Sequence, residues 1–202
     1  MIKAVVFDLG NVLCRLDWNA CDSAFAVHSP LSAEQVGRRV RSEELERVSE
    51  TGRCDSAEYF RRVKEAIQAD SAWTYEEFSE ELMRCFIPHP SGERAVVRAR
   101  ELGLRVFILS NTSYLHSRFI CSREVLATIP ELYALSFKVG VMKPDPAIWK
   151  WLLDRSGLEA KECLYFDDIA INCDIGSSLG FRAALHDPET GNLSKELEAM
   201  LN

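Results

Sequence analysis

The sequence predicts an α/β fold in which a parallel sheet carries an inserted helical cap, and three observations support this prediction. The first is a short run of buried-type residues at 2–8, which indicates a strand. The second is the polar, helix-rich stretch that follows, from residue 17 to about residue 88. The third is the alternation of helix and strand after Pro90, which is typical of a doubly wound parallel sheet.

The predicted first strand ends on an acid. Residues 5–7 are apolar, Asp8 follows them, and the chain breaks at Gly10-Asn11. An ionised carboxylate is costly to bury unless it is paired, holds a metal or works in a cleft. Ligands of open α/β sheets bind at the carboxyl ends of the strands. Asp8 is therefore a candidate nucleophile or metal ligand.

Residues 17–88 contain three helix-start signatures, and we expect no strand among them. Each signature places a capping residue three positions before Glu or Gln, and the capping residues are Ser32, Asp55 and Thr74. Asp17 is predicted to cap the helix that begins this segment. The segment ends at Pro88-His89-Pro90, and it would lie over the carboxyl end of the first strand.

Beyond Pro90 the elements follow from apolar runs, from glycines that end helices and from proline positions. We predict strands at 104–109, 134–137, 163–166 and 181–185. We predict helices at 91–102, from Asp145-Pro146 to about Gly157, from about Ala170 to Leu179, and at 194–201. This order gives parallel strands whose carboxyl ends face one cleft.

Composition narrows the partners and the compartment. The 202 residues are enough for a sizeable core, and a net charge of −7 argues against a nucleic-acid partner. The seven cysteines are scattered without Cys-x-x-Cys pairs and no signal-peptide pattern precedes the first strand, so we expect reduced thiols in a cytoplasmic protein. No apolar run approaches the length that spans a bilayer, and no membrane partner is expected. A monomer and a homodimer both stay open.

Three predicted strands end in polar residues that should meet at one cleft: Asp8, Ser110-Asn111-Thr112 and Asp167-Asp168. Grouped carboxylates suit Mg²⁺, which binds one or two protein carboxylates together with waters and a phosphate. A hydroxyl at Ser110 and an ammonium at Lys143 can hold phosphoryl oxygens. Each residue alone has an ordinary explanation, as a cap, a turn residue or a solvated lysine. Their combination predicts a site that moves a phosphoryl group onto Asp8 and then onto water.

Four short motifs in this order resemble the signature of the haloacid dehalogenase superfamily. They are Asp8-Leu9-Gly10-Asn11-Val12-Leu13, Leu109-Ser110-Asn111, Lys143-Pro144-Asp145, and Phe166-Asp167-Asp168 followed by Asn172. The resemblance implies a Rossmann-like core of residues 1–15 and 89–202, with residues 16–88 as a helical cap. Asp17 and His116 beside the first two motifs are similar to the sugar-1-phosphate phosphatase subgroup. The ending Asp167-Asp168-x-x-x-Asn172 is similar to the phosphatase domain of bifunctional epoxide hydrolases.

The resemblance implies a Mg²⁺-dependent phosphatase that acts on a small phosphorylated metabolite such as a sugar phosphate. In that family pattern Asp8 would be the nucleophile that becomes an aspartyl-phosphate. Ser110 would bind the transferring phosphate, and Lys143 would neutralise its charge.

The resemblance also implies a metal site and a set of substrate contacts. Asp8 and Asp168 would hold Mg²⁺ together with the backbone carbonyl of Gly10, and Asp167 would be a further ligand or would support one. Asn172 would position the acids. The implied substrate-binding residues are Gly10, Asn11, Asn111 and His116. We expect His116 one turn into a helix that follows Ser110.

Gly10 departs from the family pattern, which places a general acid at that position. Proton donation to a leaving group is worth about 10²–10⁴-fold in rate. Three outcomes are open: a leaving group that needs little help, a substitute donor with His116 and Asp17 as the nearest candidates, or binding without efficient turnover. The last would make the chain a phosphometabolite-binding protein. A 2-haloacid dehalogenase is less favoured, because a metal-free site gains nothing from crowding Asp167 beside Asp168.

Overall fold

Five parallel strands form the central sheet of the computed structural model, which describes residues 1–201. The strands of the described chain are β1 (Ala4–Phe7), β2 (Cys14–Leu16), β3 (Phe86–Pro88), β4 (Arg105–Ser110), β5 (Leu132–Leu135), β6 (Cys163–Asp167) and β7 (Arg182–Leu185). The sheet order is β5-β4-β1-β6-β7, so β1 lies at its centre. The predicted α/β fold with a parallel sheet is confirmed.

Helices pack on the sheet, and several of them follow one another in the chain between β1 and β4, the first two strands of the central sheet. They are α1 (Trp18–Ala26), α2 (Ala33–Val40), α3 (Glu43–Glu50), α4 (Ser56–Ala66), α5 (Tyr75–Leu82), α6 (Pro90–Glu101), α7 (Arg118–Ser122), α8 (Glu124–Thr128), α9 (Ser136–Val139), α10 (Ala147–Ser156), α11 (Ala170–Ser178) and α12 (Leu193–Leu201). We call α1 to α5 the helical insert. No helix within residues 1–201 is both long enough and apolar enough to cross a membrane.

The register of the central strands brings three chain segments to one edge of the sheet. Phe7 pairs with Ile108 of β4 and with Phe166 of β6. The next residue, Asp8, donates its backbone N–H to the carbonyl of Phe166 at 2.9 Å. The residues that follow β1, β4 and β6 are therefore neighbours, because parallel strands end at the same edge.

The helix starts of the insert follow from local side-chain bonds. Ser32, Asp55 and Thr74 each accept a hydrogen bond from the backbone N–H three residues later, at the start of α2, α4 and α5. Asp17 accepts from the backbone N–H of Asn19 and caps α1. Such caps contribute about 1 kcal/mol each, and all four predicted N-caps are confirmed.

Two of the predicted elements are wrong in their placement. The segment expected to hold no strand contains β3, which pairs antiparallel with β2 to form a two-stranded ribbon. Its three residues are too few to show a periodic pattern, and its partner is distant in the chain. The strand expected at 134–137 ends at Leu135, and α9 begins at Ser136.

His116 is the third correction. It lies in a turn rather than in a helix, because α7 begins only at Arg118. The backbone N–H of His116 instead bonds to the hydroxyl of Ser113 at 3.2 Å. That local bond gives the backbone an alternative to the helical ladder.

The insert has its own apolar cluster, separate from the two clusters that cover the faces of the sheet. Aromatic rings of α1, α4 and α5 form much of it, and Phe25 and Phe78 stack with centroids 5.3 Å apart. Leu16 of β2 and Phe86 of β3 pack against both this cluster and the sheet-face cluster that contains Phe7. The ribbon is therefore where the packing of the insert joins that of the sheet.

Candidate active site

Three carboxylates meet at the carboxyl edge of the sheet. Asp8 follows β1, and Asp167 and Asp168 lie at the end of β6. One oxygen from each lies within 4.8 Å of the others, so the group could hold a metal ion. Asp8 and Asp167 are buried, whereas Asp168 is partly exposed. The structure thus brings together the three acids that the sequence predicted to converge.

Lys143 is the positive charge of this cluster. Its Nζ donates to Asp8 Oδ1 at 2.7 Å, to Asp167 Oδ2 at 2.6 Å and to the carbonyl of Leu109 at 3.3 Å. Burial alone would lower the pKa of Lys143, but the charges of Asp8 and Asp167 outweigh it and raise that pKa. The ammonium group therefore stays charged between the two acids.

The charged form of Asp8 is disfavoured in this site. Burial raises the pKa of Asp8 to about 7; Lys143 opposes the shift, and the charges of Asp167 and Asp168 add to it. A bound divalent cation favours the ionised form of its carboxylate ligands. A buried acid with a raised pKa in a cleft is a typical feature of functional sites.

Asp167 is held by four hydrogen bonds. Its Oδ1 accepts from the backbone N–H of Ile169 at 2.9 Å and from Asn172 Nδ2 at 3.0 Å. Its Oδ2 accepts from Lys143 at 2.6 Å and from the hydroxyl of Tyr165. These bonds occupy the usual acceptor positions of a carboxylate. The contacts therefore favour a role for Asp167 in orienting Lys143 and supporting the metal site.

Asp168 is oriented from the opposite side by the turn after β1. Asn11 Nδ2 donates to Asp168 Oδ2 at 3.0 Å, and Asn11 Oδ1 accepts from the backbone N–H of Leu16 at 3.2 Å. Asn11 has φ +55, a left-handed conformation in which Asn is enriched. Burial raises the pKa of Asp168, and the bond from Asn11 counters it.

The polar residues after β4 face the same edge. Ser110 is buried, and its hydroxyl donates to the carbonyl of Asn111 at 3.3 Å. The side chain of Asn111 donates to the carbonyl of Lys143 at 2.9 Å and accepts from the Lys143 backbone N–H at 2.7 Å. Both ends of the amide are used in this way, so Asn111 positions the backbone of Lys143.

The space beside Gly10, where the family pattern places the side chain of a general acid, is occupied by Leu16. A Cβ atom on Gly10 would lie 2.8 Å from Cδ1 of Leu16, the ribbon residue that also packs on both apolar clusters. Within 4 Å of that Cβ position, apart from the chain neighbours of Gly10, residues 1–201 present only carbon atoms of Leu16, which cannot donate a proton.

Neither of the two substitutes suggested by the motifs presents an available proton. Asp17 is engaged as the cap of α1. His116 is buried against Trp18 and Phe86, and its Nε2 has no hydrogen-bond partner among residues 1–201. Burial lowers the pKa of His116 to about 4, so the ring is neutral at neutral pH.

A carboxyl group that the sequence analysis did not single out, Glu50, lies near the cluster. It is the last residue of α3 and is partly buried. Burial raises the pKa of Glu50 to about 8; the charges of Glu46 and Asp8 add to this shift, and that of Lys143 opposes it. An acid in the last turn of a helix opposes the helix dipole, and this is the signal by which the sequence could have drawn attention to it.

The donor set fits a hard cation such as Mg²⁺, which prefers carboxylate and carbonyl oxygens. Asp8 and Asp168 lie at the cluster with the geometry described above, and the cluster contains no sulfur or imidazole ligand.

A family model then decides the relationship of the chain to known proteins. The model of haloacid dehalogenase-like hydrolases matches residues 2–180. The chain belongs to this family. The match includes every residue of the carboxylate cluster and the four motifs, and it confirms the prediction of a haloacid dehalogenase-like enzyme.

Two relatives of this haloacid dehalogenase-like hydrolase are phosphatases. A phosphatase of Mycobacterium tuberculosis is 27% identical over 190 residues, which cover 92% of this chain and 88% of the relative. The D-ribitol-5-phosphate phosphatase of Bacteroides thetaiotaomicron is 26% identical over 210 residues and is matched over 100% of both chains. The similarity to phosphatases therefore extends over nearly the whole molecule.

Solved structures of the haloacid dehalogenase family share the fold. An enzyme of Bacteroides thetaiotaomicron, solved with magnesium and inorganic phosphate, has a TM-score of 0.83 at 22% identity and covers 94% of this chain and 96% of its own. A hydrolase of Porphyromonas gingivalis has a TM-score of 0.84 at 24% identity, with coverage of 100% and 98%. The L-2-haloacid dehalogenase of Xanthobacter autotrophicus has a TM-score of 0.68 at 18% identity, covering 92% of this chain and 78% of its own. Of these three structures, the one with bound magnesium and phosphate is that of the Bacteroides enzyme.

Proposed function

We propose that this protein hydrolyses a small phosphomonoester in a Mg²⁺-dependent reaction, with Asp8 as the phosphoryl acceptor. The observation that carries the proposal is the contact of Lys143 with Asp8 and Asp167 beside Asp168. It combines a nucleophile, a buried positive charge and a set of oxygen ligands at one edge of the sheet. Two whole-length relatives that are phosphatases add support.

The residues divide the reaction between them. A carboxylate oxygen of Asp8 attacks phosphorus. The Lys143 ammonium lies 2.7 Å from Asp8 Oδ1 and can therefore stabilise the phosphoryl oxygens. The hydroxyl of Ser110 is a further donor toward those oxygens. Asp8, Asp168 and the backbone carbonyl of Gly10 would hold Mg²⁺, which when bound offsets the negative charge of the phosphoryl group. Asp167, Asn172 and Asn111 keep Lys143 in place.

We further propose a phosphorylated sugar or sugar alcohol as the substrate class. The ribitol-phosphate phosphatase that matches the full length of this chain supports this class. A dehalogenase is disfavoured, because the clustered Asp167 and Asp168 lose stability by like-charge repulsion in a site that holds no metal.

The test measures phosphate release from 4-nitrophenyl phosphate and from a panel of sugar and sugar-alcohol phosphates. We expect activity that requires Mg²⁺ and is abolished by a chelator. Asp8→Asn keeps the shape of the nucleophile but removes its nucleophilic oxygen, and we expect no turnover from it. Ser178→Ala, on the exposed end of α11, serves as a control that retains full activity.

Two results would contradict the proposal. One is phosphate release by Asp8→Asn at the wild-type rate. The other is binding of phosphate and Mg²⁺ without turnover of any ester, which would make the chain a phosphometabolite-binding protein. Chloride release from a 2-halo acid in the presence of a chelator would instead identify a dehalogenase.

A further inference from the structure

The C-terminal end of α3 lies against the sheet edge that carries the active site. Ser49 and Gly52 line a small pocket together with residues 113–115 and Phe137, which follow β4 and β5. A Cβ atom on Gly52 would lie 2.3 Å from the carbonyl oxygen of Phe137, so the two backbones approach closely at this point. Glu50, between Ser49 and Gly52, is thereby placed at the junction of the insert and the sheet.

Glu50 lines a small, partly enclosed cavity at this junction. The cavity measures about 40 Å³, which is room for a few water molecules. Its charged and titratable lining residues are Arg41, Glu46, Glu50, Tyr59, Cys21 and His116. From the side of the sheet, the charges of Asp8 and Lys143 act on the Glu50 carboxyl group. The side chain of Glu50 makes no hydrogen bond or ion pair with another residue in the described part of the chain.

The other lining groups do not compete for the role of proton donor. Arg41 forms two hydrogen bonds of 2.6 Å with Asp22, which hold its guanidinium group. Burial raises the pKa values of Tyr59 and Cys21 far above neutral, so neither exchanges a proton near pH 7. His116 is neutral for the reason given above.

Glu46 lies one turn earlier on the same helix and lines the same cavity. Burial raises its pKa, and the positive charge of Arg41 opposes the shift. The charges of Asp8 and Lys143, by contrast, act on Glu50. Of the two carboxyl groups, Glu50 is therefore the one on which the charges of the carboxylate cluster act, and Glu46 is the comparison residue on the same helix.

We propose that Glu50 supplies the proton that Gly10 cannot, an inference that rests on the phosphatase function proposed above. In the first step an oxygen of Asp8 bonds to phosphorus while the bond between phosphorus and the alcohol oxygen breaks. The alcohol oxygen takes the proton of Glu50, and the neutral alcohol leaves. In the second step the Glu50 carboxylate takes a proton from water, whose oxygen bonds to phosphorus as the Asp8 carboxylate departs. Glu50 and Asp8 return to their starting forms, and the products are alcohol and phosphate.

The test compares two leaving groups. 4-Nitrophenolate is a good leaving group and departs without being protonated. The alcohol oxygen of ribitol 5-phosphate or glycerol 3-phosphate must receive a proton in order to leave. For Glu50→Gln we expect kcat/KM to fall by about 10²–10⁴-fold with the alkyl phosphates and to stay near the wild-type value with 4-nitrophenyl phosphate. The comparison uses kcat/KM because it covers the steps only as far as cleavage of the ester bond. Glu46→Gln should leave kcat/KM with 4-nitrophenyl phosphate unchanged. With the alkyl phosphates it should retain the maximal kcat/KM and only move the fall of the rate to lower pH, because the charge of Glu46 adds to the raised pKa of Glu50.

The second step gives an independent readout. Because Glu50→Gln also lacks the base that activates water, 4-nitrophenyl phosphate should produce a burst of about one nitrophenolate per active site, followed by slow turnover. The aspartyl-phosphate on Asp8 then accumulates, and mass spectrometry of the acid-quenched protein detects it.

A second variant restores the acid at its usual position. For Gly10→Asp in the Glu50→Gln protein, the added Cβ atom requires the end of the flexible Leu16 side chain to move aside. We expect it to recover at least part of the kcat/KM lost with alkyl phosphates, whereas Gly10→Asn in the same background should not.

Several results would overturn the role of Glu50 while leaving the phosphatase function intact. They are an equal loss of kcat/KM with both leaving groups, no loss with either, or a wild-type enzyme that hydrolyses 4-nitrophenyl phosphate but no alkyl phosphate. Failure of the wild-type protein to release phosphate from any ester would contradict the proposed function itself.

Discussion

Asp8 lies in a site that disfavours its own charge. Its pKa is raised to about 7 from the usual 3.8 of an aspartate, because burial outweighs the attraction of Lys143. The folded protein therefore retains a proton on this group at pH values where the unfolded chain has lost it. Ionisation of Asp8 opposes folding as the pH rises through this interval, and a bound cation removes that penalty.

This residue-scale argument predicts a pH-dependent effect of one substitution. In the absence of metal, the melting temperature of Asp8→Asn minus that of the wild type should increase between about pH 4 and pH 7. Saturating Mg²⁺ should reduce the difference at the upper end of the interval, because it binds the wild-type carboxylate. Differential scanning fluorimetry at a series of pH values measures both. A difference that stays constant with pH would show that Asp8 titrates as it does in the unfolded chain.

At the scale of elements, the anchor between α3 and the sheet depends on a glycine. Gly52 has φ +67, and a Cβ atom there would meet the carbonyl oxygen of Phe137 at 2.3 Å. Gly103, after α6, has φ +76, and a Cβ atom there would have no atom of residues 1–201 within 4 Å apart from its chain neighbours. The two glycines share the left-handed backbone and differ in the close contact.

This pair of glycines gives a matched prediction. Gly103→Ala should cost about 1–2 kcal/mol, which is the penalty of a left-handed conformation for a residue with a Cβ atom. Gly52→Ala should cost more, because the end of α3 must also move away from Phe137. Chemical denaturation measures both. Displacement of Glu50 should in addition lower kcat/KM for an alkyl phosphate more than for 4-nitrophenyl phosphate. Equal costs for the two variants would contradict the anchor.

The elements show which parts of the fold can be predicted from the sequence. The starts of α2, α4 and α5 could be predicted because each cap bond spans only three residues. The ribbon strand β3 could not, because it is three residues long and its pairing with β2 is distant in the chain.

The candidate site likewise contains residues that the sequence could predict and residues that it could not. Asp8, Asp167 and Asp168 could be predicted to meet, because each ends or follows a strand of one parallel sheet. The place of Glu50 depends on how the helical insert packs on that sheet, and α3 alone shows only a row of acids that also suits a solvated face. The motifs likewise could not predict that Asn11 binds Asp168 and that Asn111 binds the backbone of Lys143.

At the scale of the whole molecule, the insert and the sheet have separate apolar clusters that meet at the ribbon. Leu16 and Phe86 pack against both. The division into a core of residues 1–15 and 89–202 and a cap of residues 16–88 stays a prediction, and its boundaries fall within this ribbon. Tryptophans lie on both sides of the boundary, at 18 and 73 in the insert and at 149 and 151 in the core.

These tryptophans allow the division to be tested. Trp149→Phe/Trp151→Phe leaves reporters in the insert, and Trp18→Phe/Trp73→Phe leaves reporters in the core. In each background we expect Phe86→Ala to separate the urea midpoints of insert and core, because it removes a side chain that packs on both clusters.

Phe181→Ala is the control for that experiment. Phe181 is buried in a cluster that covers one face of the sheet, and its truncation should cost about 3–5 kcal/mol. It should lower the stability of the core without weakening the ribbon. Midpoints that remain together in Phe86→Ala would show that insert and core unfold as one unit through other contacts.

Glu50 belongs to the insert and Asp8 to the sheet, and this separation has a consequence for substrate specificity. In the proposed mechanism the nucleophile belongs to the sheet, whereas the proton is delivered only when α3 lies against the sheet edge. An alkyl ester that prevents the insert from contacting the sheet is not cleaved, however tightly its phosphate is bound. An ester that allows the insert and the sheet to meet is cleaved. Discrimination among esters would then appear in the rate of bond breaking, with little difference in how tightly they bind.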